Sequence, residues 1–438
     1  MAIKTINIGL IGAGTVGSGV IKILLESPSA FAGKLDREIA LRSVADRSIG
    51  KKKELNLPRN IVVTQDADEI LNNPEINIVV ELIGGIHPAK EIITKGLQNG
   101  KDIVTANKAL LALHGSELFQ IAHKYGKSIS FEASVGSCIP VISALRDSFI
   151  ANNIQHIFGI VNGTTNYVLT KMTKEHLKYD DALRDAQQKG YAEKDPSTDV
   201  DGIDSAHKLA ILARMGFNCD FDYDDIYVEG ISDVELKDIY YAHELGYTLK
   251  LLAISKKDDN GLELRVNPTL LPHEHPLSSV NGVFNAICIS GNAIGETMLY
   301  GQGAGQMPTA SAVVSDLVDV ALGRAKLTFD SIKPLSGNCE KANVLDISTI
   351  KMRYYLRYSI TDKPGVLAKL TSVLGNHNIS IASVIQKETK ENELVPLVMM
   401  THVAEEGNLQ KALLEINNLD IVKGKTKFLR VEETERLS

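Results

Sequence analysis

Short apolar runs and amphipathic segments alternate through the first 131 residues of the chain. The runs TINIGLI, IALRSVA, INIVVELI and KDIVTA resemble buried strands, whereas PAKEIITKGLQNG and HGSELFQIAHKYG have the apolar spacing of helices. Strands that alternate with helices form parallel sheets, because each helix carries the chain back to the start of the next strand. We therefore predict an α/β domain over residues 1–131, with a Rossmann-type doubly wound parallel sheet.

The pattern changes at residue 132, where longer mixed segments replace the regular alternation. We assign residues 132–305 to a separate α+β domain. The segment TASAVVSDLVDVALG has a strong helical pattern, and we expect residues 306–335 to pack back on the first domain. A polar stretch marked by glycine and proline then predicts a linker over residues 336–352.

Residues 353–433 carry the order strand, helix, strand, strand, helix, strand. This βαββαβ order is typical of a ferredoxin-like fold. Asp362 stands where it would cap the first of these helices, and Pro364 falls near its first turn. The pattern therefore predicts a small third domain at the C-terminal end of the sequence.

The charge balance and the cysteines limit the classes of partner and compartment. The formal net charge is −7 at pH 7, and the absence of a basic stripe argues against nucleic acid or an anionic membrane as the main partner. The 4 cysteines are scattered without a C-x-x-C pair, as expected for reduced thiols in the cytoplasm. The sequence begins without a signal-peptide pattern, and no apolar run approaches the roughly 18 residues of a membrane span.

The sequence Gly12-Ala13-Gly14-Thr15-Val16-Gly17 lies between the first predicted strand and the first predicted helix. A G-x-G-x-x-G pattern in this place is typical of dinucleotide binding. Its glycines permit a tight turn, close approach of a pyrophosphate and close packing of the helix on the strand. A plain glycine-rich turn is the simpler alternative, but the strand–turn–helix context favours a dinucleotide site.

The second strand ends at Asp46, which is further along than the roughly 20 residues usual for the acid that binds a ribose hydroxyl. The insert SPSAFAGKLDR accounts for the extra distance. Asp46 alone would indicate NAD, whereas Arg47 and the lysines at 51–53 could hold the 2′-phosphate of NADP. The lysine run is equally consistent with a solvated helix start, so both cofactors stay open.

Two further segments follow predicted strands and carry polar side chains. Asn107 and Lys108 come directly after KDIVTA, at the strand end that faces the ligand crevice of a doubly wound sheet. Lys108 is therefore a candidate for contact with substrate or cofactor, although a surface lysine is an equal alternative. The stretch 162–166, NGTTN, suits a turn that contacts a ligand, but Asn162 could equally be a helix cap.

The segment GYAEKDPSTDVDGIDSAHKLAILAR concentrates five acids within twelve residues: Glu193, Asp195, Asp199, Asp201 and Asp204. A calcium loop would place Ser197 at position 1 and Lys208 at position 12, where a bidentate glutamate is required. A cation in that place excludes the calcium-loop interpretation.

The helix that follows is apolar nearly all round, which predicts burial. Asp204 and Lys208 are four residues apart and so lie on one face. A buried lysine needs a partner, and Asp204 or another nearby acid is expected to supply it. The pair is either a structural ion pair or a proton donor oriented by an acid.

The segments GLIGAGTVGSGV, TANKALLA, GIVNGTTNY, GYAEKDPSTDVDGIDSAHKLAILA and YGQGAGQMPTASAVVSDL resemble the homoserine dehydrogenase family in order and spacing, over roughly residues 3–335. The segment ITDKPGVLAKLTSVLGNHNISIASV resembles an ACT domain, a small module that senses amino acids. The resemblance implies an NAD(P)-dependent enzyme that interconverts L-aspartate 4-semialdehyde and L-homoserine. Two alternatives are another NAD(P)-linked amino-acid or aldehyde dehydrogenase, and a non-catalytic sensor of cofactor and amino acid.

By motif position, the resemblance implies a role for six residues of the site. Lys208 takes the place of the proton donor, and Asp204 supports it. Glu193 binds the substrate amino group, with Asp199 nearby on the substrate. The remaining two residues contact the cofactor: Lys108, which also reaches the substrate, and Gly305, in a loop that closes over the nicotinamide end.

The resemblance also implies a structural sodium ion, held mostly by main-chain carbonyls of EASVGSCIP, at Glu132, Val135, Ser137 and Ile139. Ser137 stands where glycine is common, so its carbonyl remains available but the backbone conformation could change. For the ACT domain, the resemblance implies threonine as an effector near Asp362, Gly365, Val366 and Asn378, or a purely oligomeric role. The resemblance implies that residues 132–305 serve in substrate binding, catalysis and dimerisation, and we expect a homodimer or homotetramer.

Overall fold

The computed structural model describes residues 4–26, 34–51, 55–387 and 394–433. These residues divide into two compact units. The first unit comprises Met1–Ile157, His207–Tyr223 and Phe284–Ala342. The second comprises Phe158–Ala206, Asp224–Val283 and Asn343–Ser438. No helix in the described ranges is long and apolar enough to cross a membrane.

Strands and helices are numbered here in chain order through the described residues. The strands are β1 Lys4–Ile11, β2 Arg37–Ala45, β3 Val62–Thr64, β4 Ile78–Glu81, β5 Asp102–Thr105, β6 Ile129–Ser130, β7 Ile154–Ile160, β8 Tyr227–Val228, β9 Tyr247–Lys257, β10 Leu262–Pro272, β11 Phe284–Gly291, β12 Gly295–Gln302, β13 Lys351–Thr361, β14 Ile381–Gln386, β15 Leu394–Thr401, β16 Ala404–Glu405 and β17 Lys427–Val431. The α-helices are α1 Thr15–Glu26, α2 Ala67–Leu71, α3 His87–Gln98, α4 Lys108–Lys124, α5 Val141–Ser143, α6 Gly163–Glu175, α7 Tyr179–Gln188, α8 Ser197–Val200, α9 Ile203–Phe217, α10 Leu236–Glu244, α11 Gln306–Leu322, α12 Arg324–Ser331, α13 Val366–Asn376 and α14 Glu406–Asn417.

The first unit is built on a six-stranded sheet with the order β3-β2-β1-β4-β5-β6, and its strand pairs are parallel. This order confirms the predicted doubly wound sheet. Strands β3 and β6 have only three and two residues, too few for a periodic signal, and β3 escaped the sequence analysis. The carboxyl ends of β1, β2, β4 and β5 meet at one edge, where such sheets bind ligands.

Helix α11 packs against α1 in the core of the first unit. The contact is close because α1 carries a glycine at the crossing: a Cβ added to Gly19 would lie 2.9 Å from the Cβ of Ala310. Val20 and Leu317 are fully buried in the same apolar cluster. Helix α11, which the sequence pattern predicted near residues 309–323, therefore packs against the helix that follows the glycine-rich loop.

The second unit contains a mixed sheet with the order β9-β10-β17-β13-β15-β14. Within it, β17, β13, β15 and β14 are antiparallel neighbours and carry α13 and α14 on one face, which confirms the predicted ferredoxin-like fold. Strand β17 also pairs in parallel with β10, with Thr269 opposite Arg430. The C-terminal fold is therefore continuous with the sheet formed by residues 247–272.

Buried ion pairs accompany this junction between β10 and β17. Arg430 is 1% exposed, and its guanidinium donates to Glu406 at 2.7 Å and to Glu229 at 2.6 Å. Arg265, also 1% exposed, donates to Glu432 at 2.5 Å. Charges buried in this way need their partners, so the junction depends on residues from two segments of the second unit, Asp224–Val283 and Asn343–Ser438.

The prediction that Asp362 caps helix α13 was wrong. The helix begins at Val366, and its N-cap is Gly365 with a φ of +86° and no side-chain cap. Asp362 instead accepts a hydrogen bond of 3.1 Å from Nε2 of Gln386. The reason is the Pro364-Gly365 turn, which intervenes between Asp362 and the first helical residue.

Candidate active site

The glycine-rich loop joins β1 to α1 in the first unit. Gly12 has a φ of +100°, and a Cβ added there would lie 2.6 Å from the carbonyl carbon of Leu82. A Cβ on Gly17 would lie 2.0 Å from the carbonyl oxygen of Gly12, whereas nothing lies within 4 Å of the Cβ position at Gly14. The outer glycines therefore permit the turn and the helix packing, and Gly14 leaves space where a pyrophosphate would approach.

A crevice of about 570 Å³ opens beside this loop, and its lining includes Gly12, Gly14, Asp46, Arg47 and the turn 82–84. Asp46 Oδ2 accepts a hydrogen bond of 2.9 Å from the backbone N of Ala13, and Oδ1 accepts one of 2.7 Å from the backbone N of Ser48. The carboxylate is therefore bound to the glycine-rich loop. The structure brings these sequence-predicted cofactor residues together at one edge of the sheet.

The other cofactor candidates lie at or near helix starts. Thr15 and Val16 open α1, and Gly305 precedes α11 with a φ of +133°. Nε2 of Gln306 donates to Oγ of Ser18 at 2.9 Å, which holds the start of α11 against the start of α1. Of the lysine run, Lys51 ends a 3-10 turn, and positions 52 and 53 lie outside the described residues.

Lys108 is the first residue of α4, directly beyond the carboxyl end of β5. Asn107 caps this helix, because its Oδ1 accepts from the backbone N of Leu110 at 3.1 Å. Nδ2 of Asn107 donates to the carbonyl oxygen of Gly85 at 2.7 Å. The cap therefore places Lys108 at the same strand edge as the crevice and ties it to the turn after β4.

The acids of the second unit meet at Asn162, which the sequence left as either a ligand contact or a cap. Asn162 Oδ1 accepts from the backbone N of Thr165 at 2.8 Å and so caps α6. Its Nδ2 donates to Asp199 Oδ1 at 2.7 Å and to Asp204 Oδ2 at 2.8 Å. One amide therefore caps a helix with its oxygen and joins two carboxylates with its nitrogen.

Helix α9 carries Asp204 in its first turn and Lys208 one turn later. Asp204 is 3% exposed and Lys208 is 7% exposed. The predicted burial of this lysine is therefore confirmed. An acid in the first turn also suits the positive end of the helix dipole.

The remaining three acids of this segment lie apart from the Asn162 cluster. Glu193 is exposed in the loop before α8, and in the described residues its carboxylate makes no hydrogen bond. Asp195 accepts from the backbone N of Ser197 at 3.1 Å, and hydrogen bonds from Ser197 lower its pKa. Asp201 is the C-cap of α8. Asp195 and Asp201 therefore have local roles at the two ends of one short helix.

The segment suggested for sodium turns sharply at Gly136 and Ser137, whose φ values are +67° and +49°. The serine therefore adopts the left-handed conformation that glycine favours, and its Oγ donates to the carbonyl oxygen of Gly303 at 3.0 Å. Asn285, which packs against Gly303, is fully buried, and neither polar atom of its side chain has a partner in the described residues. A water could accept from Nδ2 or donate to Oδ1, whereas a cation could contact only Oδ1.

The Glu132 carboxylate is already occupied by the start of α5, because it accepts from the backbone N of Ile142 and of Ser143, each at 2.9 Å. Burial raises the pKa of Glu132. Asp316 accepts from the backbone N of Glu132, and burial, with the neighbouring Glu132 charge, raises its pKa well above the usual range. The sodium site suggested at Glu132, Val135, Ser137 and Ile139 remains a prediction. No group of three or more His, Cys, Asp or Glu suited to a metal occurs in the described residues.

Three family models match successive parts of the chain. The family model for homoserine dehydrogenase matches residues 140–318, the model for its NAD binding domain matches 12–132, and the ACT domain model matches 354–420. The chain is 40% identical to homoserine dehydrogenase of Bacillus subtilis over 98% of this chain and 99% of that one. The Synechocystis homoserine dehydrogenase is 42% identical with the same coverage.

The chain belongs to the homoserine dehydrogenase family. The crystal structure of a homoserine dehydrogenase from Thiobacillus denitrificans is similar with a TM-score of 0.93 at 40% identity, and the match covers 99% of each chain. A hyperthermophilic archaeal homoserine dehydrogenase in complex with NADPH is similar with a TM-score of 0.62 at 29% identity, over 73% of this chain and 98% of that one. The expected NAD(P)-dependent oxidoreductase of amino-acid biosynthesis is therefore confirmed, and the sensor and other-dehydrogenase alternatives receive no support.

The ACT residues of this homoserine dehydrogenase lie at opposite ends of α13. Asp362 and Gly365 precede the helix, and Val366 begins it with its side chain buried in the ACT core. Asn378 follows the helix with a φ of +58° and is exposed. The helix has 11 residues, so its ends are about 16 Å apart at 1.5 Å per residue. One small amino acid cannot touch both ends within a single chain.

Sequence analysis missed two features of the site in this homoserine dehydrogenase. The joint role of Asn162 was hidden because its acidic partners lie 37 and 42 residues further along. Glu81 was read only as part of an apolar strand. A signal was present, since a glutamate follows the apolar run IVV at the strand end that faces the crevice.

Proposed function

We propose that this enzyme interconverts L-homoserine and L-aspartate 4-semialdehyde, with Lys208 as the proton donor. The observation that carries this assignment is the Asn162 amide, which holds Asp199 and Asp204 together at the start of the helix that bears Lys208. An arrangement built only for stability would not need two carboxylates on one buried amide. The family implies the reaction, and this geometry supports the roles assigned to Asp199, Asp204 and Lys208.

Reduction of an aldehyde requires a hydride on carbon and a proton on oxygen. A bound nicotinamide cofactor supplies the hydride, and the protein orients both partners and stabilises charge on the oxygen. A lysine ammonium offers positive charge and a proton in one group. Burial lowers the pKa of a lysine and a nearby carboxylate raises it, so a buried lysine beside an acid can serve as a proton donor.

The substrate ammonium requires an anion, and the exposed Glu193 carboxylate is available for it. Glu193 keeps this role as our proposal because the loop before α8 leaves its carboxylate open to a ligand. Asp199, held by Asn162, would contact the substrate beside it. Lys108, at the start of α4, would contact both substrate and cofactor.

We propose NADP as the preferred cofactor. Both carboxylate oxygens of Asp46 already accept backbone hydrogen bonds, from Ala13 and Ser48. Arg47 is exposed in the lining of the crevice, where its guanidinium could bind a 2′-phosphate. Dissociation constants of NADPH and NADH for the wild type and for Arg47→Ala test this preference, and an Arg47→Ala variant with unchanged NADPH affinity would contradict it.

We also propose a structural sodium ion, threonine as the effector, a homodimer or homotetramer, and a cytoplasmic location. The left-handed Ser137 keeps the turn that glycine would allow, which supports a cation held by the carbonyls at 132, 135, 137 and 139. The separation of the two ends of α13 supports an effector site made by paired ACT domains, since only a second copy could bring both ends together. Light scattering with and without threonine measures the oligomer.

Steady-state kinetics with homoserine and each cofactor test the main proposal. We expect kcat/KM for homoserine oxidation to be higher with NADP than with NAD. We expect kcat/KM for other amino alcohols to be at least tenfold lower than for homoserine. Absence of hydride transfer from homoserine in the wild-type protein would overturn the assignment. Threonine in the same assay shows whether the ACT domain regulates the enzyme.

A further inference from the structure

Glu81 ends β4 at the ligand edge of the parallel sheet and is fully buried. Its carboxylate receives three donors. Oε1 accepts from the backbone N of Ile83 at 2.8 Å and of Gly84 at 3.3 Å, and Oε2 accepts from Oγ1 of Thr105 at 2.7 Å. The carboxylate therefore bonds the turn after its own strand and the end of the neighbouring strand β5.

A buried carboxylate in this place is costly, because burial disfavours its charged form. Burial has the largest effect and raises the pKa of Glu81, whereas hydrogen bonds from Thr105, from the backbone of the turn and from the Asn107 side chain lower it. In the described part of the chain, no cation lies close enough to lower the pKa of Glu81. The three residues before it in β4 are apolar and buried, so a further apolar residue would satisfy the packing alone.

The hydrogen bonds of Glu81 form part of a closed ring. Thr105 Oγ1 accepts from the backbone N of Asn107 at 3.0 Å, and Nδ2 of Asn107 donates to the carbonyl oxygen of Gly85 at 2.7 Å. Gly85 follows directly on Gly84, which Glu81 holds. The ring therefore links the turn 82–85, whose first three residues line the cofactor crevice, to the residue immediately before Lys108.

We propose that Glu81 is a positioning residue for the reaction. It fixes the start of α4 against the turn 82–85 and thereby fixes the position of Lys108. This inference rests on the proposed contact of Lys108 with substrate and cofactor. The direction of the hydrogen bonds at Thr105 supports this role. The Thr105 hydroxyl accepts from Asn107, so its own proton must go to an acceptor, and a carboxylate at position 81 supplies one.

Glu81→Gln tests the ring with almost no change in volume. The glutamine can turn its oxygen to the backbone amides or to Thr105, but it cannot accept from both sides. Thr105→Val removes the same link from the other side, and Thr105→Ser retains the hydroxyl. Measurements are kcat and KM for homoserine, the dissociation constant of NADPH, and Tm.

We expect Glu81→Gln and Thr105→Val each to lower kcat at least tenfold, with a smaller change in NADPH affinity, and Thr105→Ser to restore most of kcat. The matched control is Ser128→Ala. Ser128 is fully buried and its Oγ donates to Asp102 at 2.9 Å at the opposite end of β5. This variant should lose a comparable amount of Tm and keep its kcat.

Lys108→Ala completes the test. If Glu81 acts through Lys108, the double variant Glu81→Gln/Lys108→Ala loses no more kcat than Lys108→Ala alone. Additive losses would overturn the proposal, as would native kcat in Glu81→Gln with only a lower Tm. Failure of the proposed reaction itself would appear in the wild type, whereas failure of the positioning role appears only in the variants.

Discussion

Asn162 donates a hydrogen bond of 2.8 Å from its side-chain amide to Asp204 Oδ2, 42 residues further along the chain. The same side chain caps α6 through its oxygen. The start of α9 and the start of α6 are therefore held by one amide, and the acid nearest Lys208 along α9 has its orientation set by a group outside its own helix.

Asn162→Ser separates the two functions of Asn162. A serine remains a good helix cap, but its short side chain cannot reach two carboxylates. We expect kcat to fall at least tenfold while Tm changes by only a few degrees. Kinetics and thermal unfolding measure both effects, and native kcat in this variant would reduce Asn162 to a helix cap.

Lys208→Ala removes the proposed proton donor. We expect kcat to fall by two or more orders of magnitude, since general acid catalysis contributes roughly 10²–10⁴-fold, with NADPH affinity nearly unchanged. Lys208→Arg is the matched control for charge. It keeps the cation, but a guanidinium gives up its proton far less readily, so its kcat should also fall. Near-native turnover in Lys208→Ala would remove the residue from the proton-transfer role.

Glu193→Gln tests the proposed anchor of the substrate ammonium. Loss of the negative charge should raise the KM for homoserine at least tenfold and leave the NADPH dissociation constant unchanged. Asp195→Asn is a suitable control, because Asp195 is an acid of the same loop whose carboxylate instead accepts from the backbone N of Ser197, the first residue of α8. A change confined to cofactor affinity would move Glu193 out of the substrate site.

Glu432→Gln tests the buried ion pairs between β10 and β17. Burial raises the pKa of Glu432, but Lys256 and Arg265 more than offset this effect, so the pKa is lowered overall. Its contribution to the free energy of unfolding is therefore fully present above the unfolded glutamate pKa, about 4.3, and is lost as the pH falls through the lower folded value. The variant should lose about 3–5 kcal/mol near neutral pH, and the gap should narrow in acid.

Urea unfolding of the wild type and Glu432→Gln between pH 3 and pH 8 measures this difference. A gap that stays constant with pH would exclude the ion pair as its cause. The same contacts show why deletion of the ACT fold is a poor test of regulation. It would remove Glu432, one of the two carboxylate partners of Arg265, and expose the edge of β10, so point variants are preferable.

Threonine should lower the activity of the intact enzyme, and Asn378→Gly should shift the response. Glycine keeps the left-handed backbone at this position and removes only the amide side chain. We expect the half-inhibitory threonine concentration to rise at least fivefold, with no change in activity without threonine. Lys411→Ala, on the exposed part of α14, is the control. An intact enzyme that ignores threonine would contradict threonine as the effector.

Local signals in the sequence determined much of this protein. The strand–glycine–helix motif at Gly12 and the alternation of strands and helices specified the parallel sheet, and the apolar surroundings of Lys208 specified its burial. These features are readable because they depend on residues within one or two elements. The one local error, at Asp362, arose where a Pro-Gly turn displaced the start of α13 beyond the expected cap.

Tertiary structure alone decided which polar groups meet. Asn162 with Asp199 and Asp204, Glu81 with Thr105, and Arg265 with Glu432 are pairs separated by 24 to 167 residues. Such pairs leave no periodic trace, because the fold brings them together and burial then makes each hydrogen bond or charge obligatory. The sequence therefore specified the elements and the family, while chain topology specified the partners of each buried acid.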